Sequence, residues 1–322
     1  MEHLVELSRV AASCIYVSVK DQKSYIQLEV SGDDNNFLYF DKKLWRWYDR
    51  KCDSENIAIV HSRIQTLFPS SNLVLHLHLD KIKGSSFQKL LLHPSFSDWK
   101  TLSVEGEKVG TEELNLIMNM ASKERNIMIN VELMPNNFNH EKAFQFREIE
   151  YHGADWIRVE DLFALRNSTS VTMSLKQFNS DNLSKFLCYW INCDYSMFQR
   201  LTIYIENPEE FLPNKSFDDL SCLFIRGFQE FLMLSNSTKN LEFPIAVVSL
   251  IDSTFKLTTV PPDGEYAREY RILKTLKKRK HLEDVMKTIN DPSYQDSVEE
   301  LRRLTKELEQ MGVQLISGKA FL

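Results

Sequence analysis

The chain has 322 residues, 43% hydrophobic and 26% charged, which is apolar content enough to bury one large or two modest cores. Its formal net charge of -6 argues against a nucleic-acid binder, since affinity for phosphate backbones comes from clustered Lys and Arg, and no apolar run approaches the roughly 20 residues that span a bilayer. Glu2 and Glu6 stand where a secretion signal would be positive, and five cysteines (Cys14, Cys52, Cys188, Cys193, Cys222) lack C-x-x-C spacing, so buried thiols in a reducing cytoplasmic or nuclear setting are expected.

In chain order, residues 24–30 read as a first strand. Asp33-Asp34-Asn35-Asn36 reads as a turn, because the later Gly and Glu of a calcium loop are missing. Residues 73–79, LVLHLHL, alternate leucine with other side chains and predict a half-buried strand. Further strands are predicted over residues 100–105 (Leu102 and Val104 inward), 126–133 (Ile127, Ile129, Val131 and Leu133 inward), 146–151, 170–175 and 200–206. Between them lie helical patterns. Residues 111–122 place Leu114, Ile117, Met118 and Ala121 at helical spacing, and residues 180–191 do so with Leu183, Phe186, Leu187 and Trp190, with Ser180 as N-cap.

Strands recurring with a helix in most gaps predict an α/β fold: a leucine-rich-repeat-like βα solenoid, with a mostly parallel sheet and helices on one face. A doubly wound α/β domain is the alternative. Phe217, Leu220, Phe224, Phe228 and Phe231 predict a helix over residues 216–234, followed by apolar strands at 244–250 and 254–260 that would close the sheet. Pro261-Pro262-Asp263-Gly264 ends regular structure. The remainder predicts a C-terminal helical hairpin: one helix over 266–289, a break at Asn290-Asp291-Pro292, and a second opened by the capping box Ser297 to Glu300 and stopped at Gly312. The expected divisions are residues 1–40, 41–264 and 265–322.

Catalytic and metal-binding patterns are sparse. His76 and His78 project from the same face of one strand, yet a zinc site needs further ligands and no Cys or His pair at metal spacing is found elsewhere, so no metal and no cofactor are expected. Gly106 and Gly110 lack the Lys-Ser/Thr of a phosphate cradle, and G-x-S-x-G and H-E-x-x-H do not occur. Glu148 and Glu150 read as a solvated strand face. Lys277-Lys278-Arg279-Lys280 reads as the solvated side of a helix rather than an import signal. A non-enzymatic chain is expected.

One segment carries a family signature. Asp155-Trp156 precedes a short amphipathic helix (Leu162, Phe163) and a strand. A helix follows with Asn182, Leu183, Phe186, Leu187, Trp190 and Ile191, and then an L-x-I-x-I strand (Leu201, Ile203, Ile205). This resembles the type-2 F-box-associated region of the nematode F-box family, over about residues 100–260. In that family an amino-terminal F-box docks on the Skp1-like adaptor of a cullin-type ubiquitin ligase, and the associated region captures the substrate. The proline-bearing segment that opens an F-box is missing, and residues 4–19 resemble only its last helix, so the resemblance implies substrate recognition with adaptor docking in doubt.

The surface that would bind a protein partner follows from register. If Leu75, Leu77, Leu102, Val104, Ile129, Val131, Ile149, Ile203 and Ile205 point toward the helices, their neighbours His76, His78, Ser103, Glu105, Asn130, Glu132, Glu150, His152, Ser174, Lys176, Tyr204 and Glu206 point away. Carboxylates outnumber fixed positive charges there, which implies a basic protein substrate, no nucleic acid and no membrane. The competing reading is an α/β domain that binds or hydrolyses a small molecule in a crevice at the carboxyl ends of the strands.

Overall fold

The computed structural model describes residues 12–19, 24–30, 37–41, 53–70, 72–82, 84–176, 178–205, 221–226, 230–251, 253–288 and 294–322. The turn at Asp33 to Asn36, Glu206, the start of the helix predicted at residue 216 and the break at Asn290 to Pro292 lie outside them. The fold is mixed α/β. It divides into two compact units, Met1–Trp156 and Ile157–Leu322.

The first unit runs β1 (Ala12–Val19), β2 (Tyr25–Val30), β3 (Phe37–Asp41), α1 (Asp53–Leu67), β4 (Leu73–His78), α2 (Gly84–Leu91), β5 (Thr101–Lys108), α3 (Thr111–Asn119), β6 (Asn126–Leu133) and β7 (Glu148–His152). Its strands lie in the order β7-β6-β5-β4-β1-β2-β3. Strands β1 and β4 to β7 are parallel, whereas β2 and β3 add on antiparallel. The alternation read from the sequence holds: Leu73, Leu75, Leu77, Leu102, Val104, Ile127, Ile129, Val131 and Ile149 are buried. Leu133, taken as inward, is instead 55% exposed: it lies beyond Asn130, where the β6–β7 ladder ends, and pairs with Lys108 at the end of β5. Helix α3 buries Leu114, Ile117 and Met118, and the Tyr151 hydroxyl near the end of β7 lies 3.6 Å from the Met118 sulfur, which places α3 on the leucine side of the sheet. Ala12–Val19 corrects the helical reading of that stretch. It is a β-branched, apolar run paired with β4 on one side and β2 on the other, and Cys14, Ile15, Val17 and Val19 are buried as a central strand requires.

The second unit runs β8 (Ser168–Leu175), α4 (Ser180–Ile191), β9 (Phe198–Ile205), β10 (Cys222–Ile225), β11 (Glu230–Leu234), β12 (Ile245–Ile251), β13 (Thr254–Val260), α5 (Ala267–Thr288), α6 (Tyr294–Gln310), β14 (Gln314–Ile316) and β15 (Lys319–Phe321). Strand order is β8-β9-β13-β12-β11-β10-β15-β14. Among the described strands of this unit, β8 with β9 and β10 with β15 pair in parallel and the other ladders are antiparallel. The mostly parallel sheet expected from the sequence is therefore confined to the first unit.

Three local expectations are corrected here. The helix predicted over residues 216–234 is replaced, where the chain is described, by strands β10 and β11. Its aromatic spacing fitted a helix, but short apolar runs buried on both sides satisfy either period, and pairing with β12 decides for strand. Asn179, not Ser180, caps α4, its side-chain oxygen accepting the Asn182 amide at 2.9 Å. Helix α6 begins at Tyr294, so Ser297 sits inside its first turn rather than capping it. The expected stop is correct: Gly312 has φ +86, and the amides of Gly312 and Val313 bond back to the carbonyls of Glu309 and Leu308, both at 2.9 Å.

The hairpin of α5 and α6 belongs to the core of this unit. Ile272, Leu273, Leu276, Leu308 and Val313 pack against Leu223, Leu232, Ile245 and Ala320 of the sheet. Those sheet residues alternate with Cys222, Phe231, Met233 and Ala246, which are buried as well, so β10 to β12 are covered on both faces. In β13 burial still alternates, and Tyr204 of β9 is 43% exposed.

Candidate functional site: the outer face of the parallel strands

Because β4 to β7 are parallel and in step, their outward side chains form two rows across the strands. One row is His76, Ser103, Met128 and Glu150. The other is His78, Glu105, Asn130 and His152. Glu132 follows Asn130 by one repeat of the pleat, and both are exposed. The remaining members are half-buried. The register thus brings eight of the twelve sequence-derived residues together on the first unit. Ser174 and Tyr204 are paired neighbours in the second unit, with Lys176 exposed beyond them.

The rows are held by imidazole and carboxylate contacts. Glu105 lies between two histidines of β4, its Oε1 at 3.1 Å from Nε2 of His76 and its Oε2 at 3.4 Å from Nδ1 of His78. The two rings are tilted by 41° with centroids 4.4 Å apart. His152 Nε2 meets Glu150 Oε1 at 2.6 Å, an i, i+2 pair on one strand face. Just beyond Glu105, Asp80 Oδ1 accepts the Glu107 amide at 2.8 Å, fixing the end of β5 against the segment that leaves β4. The sequence reading identified His76 and His78 as a possible ligand pair and Glu105 as an outward residue. It did not place them together, because ladder pairing between β4 and β5 is a tertiary fact. One nitrogen or oxygen from each lies within 4.8 Å of the other two, so the three could share a cation.

A cleft on the first unit lies elsewhere. About 940 Å³ in volume, it is lined among others by His61, Leu73, Trp99, Lys100, Glu124 and Arg125. Leu73, Lys100 and Arg125 stand at the amino ends of β4, β5 and β6, opposite to the end at which α/β folds carry their ligand crevices. Its lysine and arginine are already engaged. Lys100 bonds Glu124 at 3.0 Å; Arg125 donates to the carbonyls of Met120 and Ser97 and stacks over Trp99 at 4.5 Å. Burial, with His93 beside it, pushes His61 down to about 4, so its imidazole is neutral at pH 7. These groups build structure around Trp99.

Trp156 and Trp190, the aromatic marks of the family segment, are core residues, 6% and 5% exposed. Trp156 packs edge-on to Phe138 at 5.1 Å and lies 6.0 Å from Tyr151. The short helix expected after Asp155 is a 3-10 turn, Asp161–Ala164, that buries Leu162. Of the basic run, Lys277 reaches the Ser235 carbonyl at 3.2 Å and Arg279 pairs with Glu283 at 2.6 Å, so part of it is used within the unit. No helix among the described residues is long and apolar enough to cross a membrane. Comparison with family models, with curated proteins and with solved structures returns no match for this chain.

Proposed function

We propose that the chain is a non-enzymatic protein-binding module that takes its partner on the outer face of β4 to β7. The observation that carries this reading is the pair of rows themselves: every buried apolar residue of these strands points to one side, leaving on the other, in register, half-buried and exposed side chains that are polar except for Val74 and Met128. A protein whose sheet face served only as core would place apolar side chains there, as β10 to β12 do. The eight residues include Glu105, Glu132 and Glu150 and no Lys or Arg, which favours a basic partner. The resemblance to the F-box-associated region supports a role in substrate recognition for a cullin-type ubiquitin ligase, and the β4-α2-β5-α3-β6 alternation supports a leucine-rich-repeat-like origin for this stretch.

Two measurements test the reading. Fluorescence polarisation with the full chain should detect a lysine- and arginine-rich peptide bound in preference to an acidic one of equal length, with affinity falling as salt rises. Equal binding of both peptides, or none, overturns the binding-face reading. Calorimetric titration with Skp1-like adaptors should give weak binding or none. Submicromolar binding would restore direct recruitment to a ligase.

A further inference from the structure

We propose that His76, His78 and Glu105 form a binding site for one divalent transition-metal ion of the zinc class. The site would be built from β4 and β5 alone, and it does not depend on the protein-partner reading. Two imidazole nitrogens and a carboxylate oxygen are the donor set that borderline-soft cations prefer; magnesium and calcium take all-oxygen sets.

The geometry suits such an ion. With metal–ligand distances of about 2.1 Å, donors around a tetrahedral zinc are spaced by about 3.4 Å. Here Glu105 turns Oε1 to His76 at 3.1 Å and Oε2 to His78 at 3.4 Å, and one donor atom from each of the three residues lies within 4.8 Å of the other two. Closing on a common centre brings donors now at most 4.8 Å apart toward that spacing. Their backbone positions are fixed by the parallel ladder, in which His76 pairs with Ser103 and His78 with Glu105. Preorganisation of this kind lowers the ordering cost of ligation.

A second observation points the same way. Nε2 of His76 is shut off from solvent and makes no hydrogen bond, although a carboxylate oxygen stands 3.1 Å away. A buried ring nitrogen without a hydrogen bond is uncommon, and a coordinated ion would satisfy it. The side chains of His76, His78 and Glu105 keep 30%, 14% and 37% of their surface, so an ion can enter from the open face. Three protein donors leave a coordination position for water or for a group on a partner.

The test uses the full chain stripped of metal with a chelator, then titrated calorimetrically with zinc chloride and, separately, cobalt chloride and magnesium chloride. One equivalent of zinc should bind, cobalt should produce a visible d–d spectrum, and magnesium should give no heat. Loss of an outer-shell partner alone costs metal sites about 10- to 100-fold in affinity, so Glu105→Gln and His78→Ala should each weaken zinc binding by at least that much. His93→Ala, remote from the site, should leave it unchanged. If a variant fails to fold, imidazole nitrogen NMR on the unmodified chain replaces it: zinc should shift the resonances of His76 and His78 and spare that of His61. Absence of zinc binding at millimolar concentration, or zinc binding that survives Glu105→Gln and His78→Ala together, would overturn the site and leave a simple imidazole–carboxylate pairing.

Discussion

His78 and Glu105 stand opposite each other in the β4–β5 ladder, and Nδ1 of the one lies 3.4 Å from Oε2 of the other. The contact ties residues 27 positions apart in the chain into one polar cluster, and the parallel register continues the row through Asn130 to His152. A sheet face built this way is held as a patterned surface, which is what recognition of an extended partner requires.

Reversing the charge of the face should abolish its preference without unfolding the protein. Glu132 is exposed, and a surface substitution of this kind changes stability by only about 0.5 kcal/mol, whereas Glu150→Lys also gives up the 2.6 Å contact with His152. The Glu132→Lys, Glu150→Lys double variant is expected to bind a basic peptide at least about tenfold more weakly, a change of about 1.4 kcal/mol. Polarisation titrations at low and high salt check this; an unchanged affinity would remove the face from recognition.

Trp156→Ala is expected to destabilise the first unit rather than disarm a binding site. The ring is 6% exposed and wedged among Phe138, Phe144 and Tyr151, and truncation of a buried aromatic costs about 3–5 kcal/mol. Urea unfolding monitored by circular dichroism reads the loss. A variant that unfolds at the wild-type midpoint would contradict the packing.

His61 makes stability depend on pH. Its imidazole is 2% exposed, against Phe96, and is held down to about 4 in the folded chain, compared with about 6.5 when unfolded. In that window the unfolded chain binds the extra proton, so the contribution is complete above about pH 6.5 and declines as pH falls toward 4. Between pH 7 and pH 5 the loss amounts to about 2 kcal/mol. As the pH is lowered, the denaturation midpoint of the wild type should fall relative to that of His61→Phe, because the variant lacks this titration. Parallel pH profiles would show that the imidazole is neutral for no energetic reason of burial.

The C-terminal hairpin should be inseparable from the second unit. Removing residues after Gly264 would uncover Leu223, Leu232 and Ile245, which are at most 1% exposed beneath α5 and α6. The truncated chain is expected to aggregate, and Leu308→Ala to cost about 2–5 kcal/mol. Light scattering on the truncation and thermal unfolding of the point variant provide the checks.

How far the residues spoke for themselves differs along the chain. From β4 to β9 the strands were legible, because each is covered on one face and so alternates: Leu75 with His76, Val104 with Glu105, Ile203 with Tyr204. Where both faces are covered, as in Cys222–Ile225 and Glu230–Leu234, alternation disappears and a helical period fits equally well; only pairing with β12 resolves it. The helical reading of Ala12–Val19 rested on resemblance to the end of an F-box, and pairing with β2 and β4 overturns it. The outward identity of His76, His78 and Glu105 follows from the period of a strand, a local property of the backbone. Their convergence does not, since it depends on which strand lies beside which and in what register, and hydrogen bonds between segments far apart in sequence decide that.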